Sequence, residues 1–312
     1  MNVATPTAIA KVEPLAWRIT FTPTLAQGQQ PLVTVKEPVN LFAVAEAVDF
    51  TAALAEPRAG ANSTVPAIVP AIGTARRHQE SAPQPAATER PLLLLCSPLS
   101  SSLAYDIEPR LEAWLSEGSD APVPLVRAGL RTSRVLWSSD RAIIYAPPEQ
   151  MRDAMDAVIR FTVTNRETSR LESTIAAMWP VLAEHVPLTH AVTRQQRRLQ
   201  PLVNAMTEQA TAMMSTLLRL ETALEQLDPA FTIGSKRLGA ELIEQAALYD
   251  RLELLEGPVE HVGDIYELAN SRLTESRFAA QNNTAERVIA LFLAVELALM
   301  VFGLLTPGAH LF

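Results

Sequence analysis

Glu184, His185 and His190 lie close together and are of metal-binding type. A helical zinc site needs His-x-x-x-His, which sets two imidazoles on one face. Here the histidines stand five residues apart across Pro187, so the pattern fails. His261 and Asp264 share a helix face and supply half a site. Both groups read as surface or partly buried polar residues. The sole cysteine, Cys96, follows Leu92 to Leu95 and reads as a buried, inert thiol with no histidine near it in sequence. There is no Gly-x-Ser-x-Gly, and the 11 glycines form no phosphate-cradling loop. Glu221 and Glu225, one helical turn apart, read as a solvated face. The spacing predicts no catalytic residue, no cofactor and no metal.

One further ionisable residue demands a reason. Glu296 sits inside an apolar run from Val288 to Leu305, eighteen residues with that single charge. At ~1.5 Å per residue the run makes about 27 Å of helix, close to the hydrocarbon thickness of a bilayer. A carboxylate at that depth costs about 2.5–3.5 kcal/mol, and such residues face protein or a cavity. The run predicts a transmembrane helix over 288–305 with a short tail, 306–312. The alternative is a core helix whose Glu296 reaches the protein surface. Arg272, Arg277 and Arg287 precede the run and no Lys or Arg follows it. The positive-inside tendency then leaves the N-terminal bulk in the cytoplasm.

The elements that must carry this end are mixed. With 312 residues and 48% hydrophobic residues, the chain can bury a sizeable core. A net charge of −8 argues against a strongly basic nucleic-acid binder, and no direct nucleic acid is expected. Met1 to Val12 lacks a basic region followed by an apolar run, so it is no secretory signal; a weak organelle-targeting reading stays open because the first acid is Glu13. Arginine-rich, alanine-rich usage fits a GC-rich bacterial gene. Trp17 to Phe21 alternates as a half-buried strand, and Leu32 to Val35 and Leu41 to Ala45 read as two more. Asp49 is placed to cap a short helix. Residues 57–91 are Pro-rich and read as a disordered linker or insertion. Leu92 to Ser97 reads as a buried strand, Ile107 to Leu115 as an amphipathic helix, and Arg134 to Trp137 with Ala142 to Tyr145 as a hairpin. Pro148 suits the first position of a helix over Glu149 to Phe161. From Thr168 the chain reads as helices alone: Thr168 to Glu184, Thr189 to Leu227 with Pro201 as a kink or restart, and Lys236 to Glu256.

Leu248, Leu252, Leu255, Val259, Val262, Tyr266, Ala269 and Leu273 step by alternating four and three, as a coiled-coil seam does. Gly257-Pro258 predicts a kink or restart within it. Two readings stay open: a stalk that projects from the membrane, or an internal antiparallel pairing with Thr207 to Leu227.

Two stretches together resemble the required-for-meiotic-nuclear-division (Rmd/Sif2-like) family. Leu41 to Ala55 looks like that family's opening strand and aspartate-capped helix. Tyr249 to Leu305 follows its order of elements: an amphipathic helix, a heptad-like run through Asn270-Ser271-Arg272-Leu273, then a hydrophobic helix. Glu286 and Glu296 match the two glutamates, ten residues apart, that open and interrupt that helix. Ala142 to Phe161 fits the strand-then-acidic-helix step. Arg287 stands where the family carries a tryptophan, the Gly-rich strand is missing, and the Pro-rich insertion is unusual. The resemblance implies an α/β domain, a helical domain, a C-terminal membrane anchor and assembly into large complexes. Mitochondrial members support organelle translation at the inner membrane. No catalytic residue or cofactor comes with it.

The expectation is an α+β chain. Residues 1–56 and 92–165 form a mixed α/β domain, 166–257 a helical domain, 258–287 a coiled-coil-like stalk and 288–305 a transmembrane helix. Function follows as a membrane-anchored, non-enzymatic scaffold that oligomerises through its C-terminal helices. Its partners are itself, membrane lipid and an unknown protein, in a bacterial inner membrane or, less favoured, an organelle inner membrane. Two alternatives stand. One is a transporter or channel subunit with Glu296 in the membrane, in the manner of magnesium channels, although these have two spans and a Gly-Met-Asn loop. The other is a soluble enzyme without a recognisable motif.

Overall fold

The computed structural model describes residues 14–26, 28–56, 91–97, 103–116, 125–190, 192–193, 196–225 and 232–305. The Pro-rich stretch, Pro91 apart, and the tail of 306–312 lie outside the described residues. The chain divides into two compact units, Met1–Ala177 with Met213–Pro258 and Met178–Ala212 with Val259–Phe312. It is a mixed α+β protein with an N-terminal sheet and a helical C-terminal part.

The first unit is built on a seven-stranded sheet. Its strands are β1 (Leu15–Thr22), β2 (Val33–Val35), β3 (Leu41–Val48), β4 (Leu92–Ser97), β5 (Val126–Leu130), β6 (Ser133–Ser138) and β7 (Arg141–Tyr145), in the order β2-β3-β1-β4-β7-β6-β5. All neighbours are antiparallel except β4 and β7. A parallel pair needs a crossover, and α2 (Leu103–Ser116) lies in that connection. Leu92 to Cys96 are all buried, as expected of a central strand covered on both faces. The Cys96 thiol is pushed up to about 12 by burial, which keeps it protonated and inert. On one face Leu93, Leu95, Leu136 and Ile143 pack with Ala53, Leu111 and Trp114. On the other, Trp137 meets Phe161 edge-on at 4.9 Å and donates its indole N–H to Thr162 Oγ1 at 2.9 Å.

Asp49 caps α1 (Phe50–Ala55), its carboxylate accepting from the Thr51 and Ala52 backbone N–H groups at 3.0 and 2.9 Å. The Thr51 hydroxyl and these two N–H groups hold the Asp49 carboxyl below its ordinary range. The sheet also holds a buried cation. Arg141 is 1% exposed, stacks over the Trp114 ring at 4.6 Å, and donates to the carbonyls of Trp114 and Glu56. Its role is to close the ends of α1 and α2 onto β7. Strand β5 is absent from the sequence reading; its inward residues, Val126 and Ala128, leave only a faint alternation beside Gly129.

The helices differ from expectation in three places. A single α3 (Pro148–His185) replaces two expected helices. Thr162 and Thr168 return their hydroxyls to the carbonyls of Val158 and Thr164, at 2.7 and 3.0 Å. These threonines therefore sit in a helix without an unpaired group. Between α5 (Ile233–Gln245) and α6 (Leu248–Leu305) the expected continuous helix breaks, because Ala247 takes φ of 49°. In α6 Pro258 is interior to one continuous helix, so the restart alternative is not met. Proline leaves the Leu254 carbonyl without its helical donor, but Leu254 is 74% exposed, so that turn faces solvent. The second long helix begins later than expected, as α4 (Gln200–Glu225), with Pro201 in its first turn where a missing N–H costs nothing.

Two substitutions test these points by urea unfolding. Arg141→Met should lower stability by about 3 kcal/mol, because the buried Trp114 carbonyl and the half-buried Glu56 carbonyl lose a charged donor. Ala247→Gly should raise it by about 0.5 kcal/mol, since glycine takes a positive φ without steric cost.

Candidate functional site

Every residue that the sequence singled out for assembly or membrane contact lies on α6. In the first unit Leu248, Leu252 and Leu255 are buried. Arg251 fixes this part of the helix from beside the seam. Its Nε and Nη2 donate to Glu172 Oε1 and Oε2, both at 2.8 Å, and its Nη1 and Nη2 reach Asn165 Oδ1 and Ser169 Oγ at 2.7 and 3.0 Å. That forked pairing of a planar guanidinium with a carboxylate ties α6 to α3. Tyr249 donates its hydroxyl to the Leu224 carbonyl on α4 at 3.2 Å.

In the second unit Val259, Val262, Tyr266, Ala269 and Leu273 are buried. Tyr266 replaces an aliphatic seam residue for a visible reason: its hydroxyl meets His185 Nδ1 at 3.1 Å, and the two rings pack edge-on at 5.9 Å. Gln200 Nε2 on α4 donates to Asn270 Oδ1 at 2.6 Å and to Asn204 Oδ1 at 2.9 Å. The seam is therefore filled by the chain's own helices, with α4 antiparallel to α6, the internal pairing left open in the sequence. As far as Leu273 the stalk reading is corrected: buried apolar residues offer nothing to a second copy. Gln200, Asn204 and Thr207 face Asn270, Thr274 and Arg277 across a cavity of about 720 Å³. Carboxamides and hydroxyls dominate its walls beside Glu208 and Arg277, which suits hydrogen bonding.

His185 is buried, and its Nε2 has no hydrogen-bond partner. Burial lowers the His185 pKa below its ordinary value, against the pull of the neighbouring Glu184 carboxylate. Burial likewise raises the Tyr266 hydroxyl. His261 is turned towards the ring of Trp179 at 6.1 Å. Among the described residues no group of three or more His, Cys, Asp or Glu side chains gathers to hold a metal.

Beyond Leu273 the character of α6 changes. Every residue from Gln281 to Val301 is exposed, Glu286, Arg287 and Glu296 among them. From Val288 the exposed residues are almost all apolar, Phe292 at 70% and Met300 at 62%. Among the described residues no helix is long and apolar enough to cross a membrane. The helix itself continues to Leu305.

The His185 reading gives a pH dependence. The unfolded chain binds the proton more readily than the folded one, so folded stability is complete above the ordinary histidine pKa, about 6.5. It should fall as the pH drops below that value, and His185→Phe should flatten this loss in thermal melts between pH 7.5 and 5. Comparison with known proteins adds little: no family model matches the chain, and no curated protein matches it. Among solved structures it is similar to one titled "structure of the full-length CmaX protein", with 14% sequence identity, a TM-score of 0.31, and 75% of this chain and 84% of that chain covered.

Proposed function

We propose that this chain is a membrane-anchored, non-enzymatic scaffold that oligomerises through the C-terminal end of α6. One observation carries the reading: the fourteen residues Val288 to Val301 form helix, and none of them is buried among the described residues. A core helix would bury at least one face. Ten large apolar side chains stand in solvent here. Fully burying such a side chain is worth about 1.5 kcal/mol or more, so transferring the exposed half of each is worth on the order of 7 kcal/mol. That exceeds the about 3 kcal/mol penalty of one carboxylate in lipid. Continued through Phe302 to Leu305, the run reaches bilayer length with Glu296 as its sole charge.

The direction of insertion rests on Arg272, Arg277 and Arg287 before the run and their absence after it. This leaves the bulk of the chain on the cytoplasmic side of a bacterial inner membrane. The resemblance to the required-for-meiotic-nuclear-division family, whose members end in such a helix and assemble into large complexes, points the same way. The sheet domain then serves as the surface offered to a further protein.

The test is alkaline carbonate extraction of membranes from cells that express a tagged full-length chain or a version lacking 288–312. The full-length chain should stay in the pellet, and the truncated one should move to the supernatant. A truncated chain that still pellets with extracted membranes would overturn the anchor.

A further inference from the structure

The cavity between α4 and α6 in the second unit is unlike an ordinary small-molecule pocket. Its volume of about 720 Å³ falls within the usual range of about 300–1,000 Å³, but such pockets are mostly apolar with a few placed polar groups. Here Phe278 is the one apolar side chain in a wall of polar and charged ones. A ligand that fills this space must be polar over most of its own surface, or the wall loses its water without replacement.

Hydrogen bonds inside the wall decide what is left for a ligand. Gln200 spends both protons of its carboxamide, on Asn204 Oδ1 at 2.9 Å and on Asn270 Oδ1 at 2.6 Å. This sets the orientation of both asparagines. Their Nδ2 groups remain as donors, and Gln200 Oε1 remains as an acceptor. Thr207 and Thr211 return their hydroxyl protons to the carbonyls of Val203 and Thr207, so their oxygens are left to accept. The wall therefore offers donors and acceptors together. A hydroxyl group donates and accepts at once, so a ligand rich in hydroxyls can use both.

Charge narrows the class further. Glu208 and Arg277 are the charged residues of the wall, and their charges cancel. No hydrogen bond or ion pair joins them among the described residues. Arg277 opposes a metal cation, and Glu208 opposes a phosphate. The ring of Phe278 is 62% exposed. Its electron-rich face suits the C–H groups of a sugar ring, which a phosphate or a metal ion lacks.

We infer that this cavity binds an uncharged, polyhydroxylated ligand, a sugar, with Gln200, Asn204 and Asn270 bonded to its hydroxyls and Phe278 stacked on its ring. Full-length protein purified in a polyoxyethylene detergent, which brings no sugar of its own, is titrated by calorimetry with glucose, galactose, mannose and maltose. Glutamine, inorganic phosphate and Mg2+ are the charged comparators. At least one sugar should bind wild type. Asn204→Ala and Phe278→Ala should each weaken that sugar about tenfold, the loss of one or two good contacts. Both positions are exposed, so their thermal melts should match wild type. Glu208→Gln and Arg277→Gln should keep the affinity within about threefold, because a carboxamide still bonds to hydroxyls. Wild type that binds none of the four sugars would overturn the proposal. So would a sugar affinity unchanged in both alanine variants, or tighter binding of glutamine, phosphate or Mg2+ than of every sugar.

Discussion

Eight residues that step by four and three along α6 govern how the rest of the molecule can be read. In each compact unit they are buried by helices of the same chain. Polar contacts fix the pairing that the apolar seam alone would leave free to slide. Arg251 grips Glu172 in one unit, and Tyr266 meets His185 in the other. Apolar contacts are non-directional, so a seam of leucines and valines tolerates shifts that a forked guanidinium–carboxylate pair does not. Once this seam is filled, α6 keeps only the polar cavity it shares with α4 around Thr274 and Arg277, and no residue from Gln281 to Val301 is buried among the described residues. The exposure that begins past Leu273 is thus a consequence of where the internal partners end.

Much of the sheet domain was legible because alternation and capping are local signals. β1, β3, β4, β6 and β7 and the Asp49 cap can each be read from fewer than ten consecutive residues. What failed was governed by distant partners. β5 is weak by itself and is held by its pairing with β6. The break at Ala247 carries no glycine to announce it. Pro258 looks like a stop signal, but an exposed turn tolerates its missing donor. For the candidate site, the α6 residues were visible as a pattern, while the choice between a stalk and an internal pairing depended on α4, far away in sequence. Tyr266 was the signal available: an imperfect seam residue with a hydroxyl implies a polar partner inside the bundle.

The two halves of α6 obey opposite rules with the same residue types. Up to Leu273, apolar residues recur on one stripe and polar ones fill the remainder, the pattern of a helix with one face in a core. From Val288 the apolar residues surround the axis, which only an apolar medium or several neighbours can satisfy. Between the two lies a polar span, Glu275 to Arg287, that belongs to neither regime. On the membrane reading proposed above, the two regimes are a change of solvent along a single helix.

The buried thiol has a practical consequence. Because Cys96 is the sole cysteine and stays protonated inside the sheet, the natural chain already behaves as a cysteine-free background. A cysteine introduced one position at a time along 274–301 could be followed by spin label, maleimide or cross-linker without first removing a native residue. The depth and neighbours of each turn of α6 could then be mapped on a protein whose core has not been altered.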